Sequence, residues 1–144
     1  MKYTGMIGRA TGVVLAATAL TVGTASTSSA AAPARTVSAS CSTTGASGGM
    51  SSTFTPGDFF GEFDVTLSVT DTKADSHHVR VRYLTIPVNS SAVRPWQWHS
   101  LKAGKGETLV YPTTAQDSNG IQDMGVEVAR FEGDKKLNSC TDWA

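Results

Sequence analysis

From Thr36 onward, apolar and polar residues alternate with a period of two along much of the chain. The clearest run places Phe63, Val65, Leu67 and Val69 between Glu62, Asp64, Thr66, Ser68 and Thr70. Successive side chains of a strand point to opposite faces, so this run predicts a strand with one dry and one wet face. A helix would space its apolar residues three and four apart. Val79, Val81 and Tyr83 repeat the pattern against His78, Arg80 and Arg82. Leu84, Ile86 and Val88 then fall on the other parity, which predicts a bulge or a bend between Tyr83 and Leu84. Pro87 has no N–H for a ladder and predicts a sheet exit or edge.

Softer alternation marks a first strand at 36–43 and a second at 50–55, with 45–49 (Gly-Ala-Ser-Gly-Gly) as a flexible turn between them. Pro56-Gly57-Asp58 reads as a turn. A strand at 107–111 is expected to end at Pro112, and 113–120 reads as a polar loop closing on the turn pair Asn119-Gly120. Residues 121–143 form a hairpin: Met124, Val126 and Val128 share one face, Glu132 to Lys135 turn, and the return strand carries Cys140. Six to seven short strands with turn signals between them, and no helical periodicity, predict an all-β chain. The expected architecture is a single immunoglobulin-like antiparallel β-sandwich, with a small β-barrel as the alternative.

The first thirty residues carry a different pattern. Lys2 and Arg9 precede an Ala-rich apolar run at about 10–25, and small residues follow. This is the three-part layout of a secretory signal peptide, and Ser28-Ser29-Ala30 offers a cleavage site after Ala30. The apolar run falls short of the ~20 strongly apolar residues that span a bilayer. The expected organisation is a leader at 1–30 and a secreted, extracellular domain at 31–144. Losing Lys2 and Arg9 from a chain with 12 Lys+Arg and 12 Asp+Glu leaves that domain mildly acidic. An acidic domain is a poor match for nucleic acid or for an anionic membrane. Cys41 and Cys140 are the only cysteines. In an exported chain they are expected to form one disulfide that ties the last strand to the first.

The ending GVEVARFEGDKKLNSCTDW, with the leader and the size, resembles small secreted actinobacterial (Streptomyces-like) β-sandwich proteins that lack an assigned function. That resemblance implies export and β-structure and no catalytic residue. The chain is also comparable in size with the antibiotic carriers related to neocarzinostatin and with the subtilisin-inhibitor-like proteins. Both usually have two disulfides, and this chain has cysteines for one.

Candidate chemistry is sparse. There is no Gly-x-Ser-x-Gly elbow, and three histidines among many serines and acids make no recognisable triad. Glu62 and Asp64 lie on one strand face, about 7 Å apart at strand spacing, as a glycosidase pair or a wetted surface. His77 and His78 are adjacent and point apart in an extended segment, so they do not chelate one metal together. The 117–120 loop departs from the EF-hand spacing, with its Gly fourth instead of sixth. No cofactor or metal is expected. Arg80, Arg82 and Arg94 are expected to pair with acids such as Glu62 or Asp64, or to form a basic strip. Trp96 and Trp98, two apart, are expected on one side of an extended segment beside Arg94 and His99. They either fill the core or present rings to a ligand. The expected function is a monomeric, non-enzymatic secreted protein that binds an extracellular protein or cell-envelope component. A small-molecule or carbohydrate carrier with a cleft near Trp96 and Trp98 is the alternative, and a small hydrolase the second.

Overall fold

The structure, a computed structural model, describes residues 32–144; the expected leader at 1–30 lies outside the described residues. The strands are β1 (Arg35–Thr43), β2 (Ala46–Phe54), β3 (Phe63–Asp71), β4 (His78–Ile86), β5 (Arg94–Pro95), β6 (His99–Leu101), β7 (Thr108–Ala115), β8 (Asp123–Glu132) and β9 (Lys135–Trp143). One sheet runs β1-β2-β3-β7 and the other β5-β4-β8-β9, with β6 also on β4; every pairing is antiparallel. The two sheets pack as a β-sandwich and do not close into a barrel. Seven strands are long, as the alternation predicts, and two short ones occupy the 94–101 segment. The immunoglobulin-like expectation holds at the level of two packed antiparallel sheets. In strand order the second and third strands share a sheet here, whereas immunoglobulin domains place theirs in opposite sheets.

The odd-numbered residues of β3 and β4 face the core, as their period requires. Phe63, Val65, Leu67 and Val69 meet Val79, Val81 and Tyr83, with Met124, Val126 and Val128 of β8 beside them. Each such side chain contributes about 1.5–3 kcal/mol on full burial. Cys41 and Cys140 are bonded, with their Cα atoms 5.9 Å apart, and join edge strand β1 of one sheet to edge strand β9 of the other. Ser40 N–H donates to Asp142 Oδ2 at 2.9 Å and Thr43 Oγ1 to Asn138 Oδ1 at 3.1 Å along the same seam.

Three local expectations change. The glycine-rich 45–49 segment is not a turn: β1 and β2 turn at Thr44 and Gly45 alone, and Gly48 pairs with Cys41 inside the ladder. A Cβ at Gly48 would run into the Ser68 carbonyl and Val128, so the glycine serves close packing there. No bulge separates Tyr83 from Leu84, because β4 keeps register with β8 from His78↔Phe131 to Ile86↔Asp123. Tyr83, Leu84 and Thr85 are all buried because both faces of the sheet are covered at that point, and the irregularity lies at Arg130/Phe131 against β9. Pro112 does not end β7. It sits opposite Thr66 in an edge strand whose only ladder is with β3, where a missing N–H is tolerated.

Candidate functional site

The side of the sandwich away from the disulfide is held by side chains alone. There the 94–101 segment of one sheet faces β7 of the other. Trp96 is placed by its N–H, which donates to the Tyr83 carbonyl at 3.0 Å, and by indole Nε1, which donates to Thr85 Oγ1 at 3.1 Å. Its ring centre lies 6.1 Å from that of Tyr83 and it packs on the core. His99 of β6 stacks on Tyr111 of β7 with ring centres 3.8 Å apart. Burial holds the His99 imidazole below its ordinary value, which disfavours a charge on the ring at the seam.

These rings enclose a hollow of about 200 Å³ lined by Leu67, Tyr83, Trp96, His99, Tyr111 and Thr113 among others. Its lining mixes apolar side chains with hydroxyls and an imidazole. Tyr83 hydroxyl donates to Ser52 Oγ at 3.4 Å, and burial pushes its pKa up to about 12 against the pull of that bond. The Tyr83 proton is therefore kept across the whole neutral range. Trp96 also borders a second hollow of about 330 Å³, with Arg94, Pro95 and Asp117. Arg94 Nη1 donates to Asp117 Oδ2, and Asn119 N–H donates to Asp117 Oδ1 at 2.9 Å. Asp117 is 1% exposed at its side chain, so the 117–120 loop is built around this ion pair. Trp96 lines both hollows, so they lie on either side of its residue.

Of the residues singled out in the sequence, Trp96 and His99 line the first hollow, and Arg94 lines the second beside Trp96. Trp98 does not. Its ring lies on the outer face of the second sheet, under the Arg82 guanidinium at 4.3 Å and edge-on to Phe131 at 5.3 Å. The two indoles thus lie on opposite sides of the sheet, because 96–98 leave the ladder between β5 and β6 and parity is not kept there. Tyr83 and Tyr111, which complete the site, carry no local sequence signal. They are recognisable only once β4 is known to face β3, and β7 to face β6.

The arginines find other acids than Glu62 and Asp64. Arg80 pairs with Asp134, Arg82 with Glu127 and Arg94 with Asp117. Glu127 is buried on the outer face beneath Trp98, Arg82 and Lys136. Burial works against its charge, but hydrogen bonds from Lys136 at 2.7 Å and Arg82 at 2.8 Å outweigh that and hold its carboxyl below the usual range. Among the described residues no histidine has a serine hydroxyl as its hydrogen-bond partner. His77 bonds Asp75 and Arg130, His78 accepts from Arg80, and His99 stacks on Tyr111. Trp143 does not cover the disulfide; it lies over Gly125, where an added Cβ would meet its ring at 2.8 Å. No group of three metal-ligating side chains occurs among the described residues, and no helix there is long and apolar enough to cross a membrane.

Comparison with family models, curated proteins and solved structures finds no match for the chain.

Proposed function

We propose that this chain is an exported, non-enzymatic binding protein whose open seam takes a single ring, either a sugar or a planar aromatic group. The observation that carries this reading is the convergence of Trp96, His99, Tyr111 and Tyr83 on one hollow. Ring faces and hydroxyls at close range are the surfaces that a sugar or an aromatic ligand uses. At about 200 Å³ the hollow is smaller than the ~300–1,000 Å³ of drug-sized sites and suits one ring. The adjoining hollow at Arg94 leaves room for a polar substituent. Export rests on the basic and apolar pattern of 1–30, and the disulfide is compatible with it. The test is tryptophan fluorescence titrated with glucose, N-acetylglucosamine and indole. Wild type is expected to respond to at least one, and Tyr111→Ala to lose that response while staying folded. An unchanged response in Tyr111→Ala removes the seam as the site.

A second reading, attachment to an extracellular protein or cell-envelope component, has its own observation. Phe59 and Phe60 are 43% and 57% exposed in a loop that is firmly tied down. The Phe59 carbonyl accepts from Ile121 N–H at 2.7 Å and the Phe60 carbonyl from Gln116 Nε2 at 3.1 Å. Apolar rings held in water by a fixed loop suit a partner surface. Under this reading, Phe59→Ser with Phe60→Ser abolishes retention on the producer's cell-wall fraction and Tyr111→Ala does not.

A further inference from the structure

A hollow of about 490 Å³ lies where β4 begins and β8 turns into β9, away from the seam. Its lining includes His78, Arg80, Lys102, Gly133 and Asp134, with Asp75 at one side. Arg80 is fixed there by four contacts. Its Cζ lies 4.1 Å from the centre of the Phe131 ring. Nε donates to His78 Nε2 at 3.0 Å, and Nη2 donates to the Gly133 carbonyl and to Asp134 Oδ1, both at 2.9 Å. Nη1 has no acceptor among the described residues. Asp75 already pairs with Arg130 and hydrogen-bonds His77, with Lys73 at 3.8 Å. Asp134 is different: its side chain is 98% exposed and only Arg80 holds it. Such a solvent-exposed pair is weak, because water and salt screen it.

A pinned guanidinium is a planar fork suited to a tetrahedral oxyanion, and Lys102 adds a second positive charge. We propose that this hollow is a separate binding site for a phosphate or sulfate group, held by Arg80 and Lys102, with the Asp134 carboxylate as a displaceable internal stand-in. The site competes with itself: the ligand must evict Asp134 from Arg80. Asp134 stands at the β8–β9 turn with its side chain almost wholly in water, so rotating it away from Arg80 uncovers no packed surface.

His78 reports on the site. Burial, then Arg80 and Lys102, hold its imidazole below the ordinary value, His77 adds to this, and Asp134 alone pulls the other way. Phe131 stacks on it and brings no charge. A bound oxyanion offsets Arg80 and Lys102, so it raises the His78 pKa, and by linkage binding tightens as pH falls through that value.

The experiment is a histidine-resolved NMR titration with inorganic phosphate, sulfate and a glycerol-phosphate oligomer, against sodium chloride at matched ionic strength. Wild type is expected to show saturable shifts at His78, Gly133 and Asp134, and an upward move of the His78 titration. Asp134→Asn removes the competitor and is expected to tighten phosphate by about threefold to fivefold, the scale of a surface ion pair. Lys102→Gln, at an exposed residue that makes no hydrogen bond or ion pair among the described residues, is expected to weaken it several-fold, and Arg80→Gln to abolish it. Equal affinity per phosphate for ion and oligomer assigns a free oxyanion; a clear preference for the oligomer assigns a polymer-borne one. The proposal is overturned if chloride reproduces the shifts, if His78 does not move in either wild type or Asp134→Asn, or if Asp134→Asn leaves affinity unchanged or weaker.

Discussion

The two side seams of this sandwich are closed by different chemistry. At β1/β9 the sheets are joined covalently through Cys41 and Cys140, and Asp142 occupies the Ser40 N–H that an edge strand would otherwise offer to another chain. At β6/β7 the sheets meet through His99 stacked on Tyr111 and through Arg94 on Asp117, and a hollow remains between them. The first seam has no comparable concentration of rings. The contrast separates two jobs. A covalent tie across a separation of 99 residues restricts the unfolded chain, so the fold does not need a tight second seam. The side held by rings is then available for a ligand.

The largest break of this contrast is Cys41→Ser with Cys140→Ser. It is expected to cost about 4–5 kcal/mol, read from chemical denaturation with and without reductant. Trp96→Ala should follow at about 3 kcal/mol, because its ring packs on the core and its N–H bonds Thr85. Trp96→Phe keeps most of the packing, so it sharpens the comparison. Stability should largely return while ring binding stays lost.

Much of the sandwich was legible because alternation is a direct consequence of strand geometry. Phe63 to Val69 and Met124 to Val128 face the core as their parity requires. The disulfide was legible because two cysteines leave one pairing available and a leader-like start predicts an oxidising compartment. Gly48 and Gly49 were not, since glycine marks both turns and close approaches, and only their neighbours decide: Ser68 and Val128 at Gly48, Ala39 and Ser40 at Gly49. Glu127 alternates with the core residues Val126 and Val128 and so lies on the outer face, yet it is buried there under Arg82 and Lys136. Such cover comes from distant segments and leaves no mark in local pattern. Half of the candidate site was legible for the same reason: Trp96, His99 and Arg94 are sequence neighbours, whereas Tyr83 and Tyr111 arrive from β4 and β7.

The smaller effects fall on opposite seams. Asp142→Ala at the closed seam exposes one edge N–H and should cost about 1 kcal/mol, seen as a lower denaturant midpoint without any loss of ring binding. Protonation of His99 belongs to the open seam. Its folded pKa lies below the ordinary value, so its contribution is fully present above the unfolded histidine value and is lost as pH falls through the folded one. A shallow decline of stability on acidification should therefore appear in wild type and be reduced in His99→Gln. Tyr83 gives the alkaline counterpart. With its pKa pushed up to about 12, its contribution is intact below the unfolded tyrosine value and is lost as pH rises toward 12, readable as a late-titrating phenol in ultraviolet absorbance.

The most direct measurement is a two-dimensional amide and indole NMR map of the protein titrated with glucose, N-acetylglucosamine and indole. The seam account predicts saturable shifts at the Trp96 indole N–H, His99 and Tyr111 with at least one probe, while Ser40, Cys140 and Asp142 at the disulfide seam stay still. Shifts confined to Phe59 and Phe60 or to Trp98 on the outer face, or no shift with any probe, would contradict it.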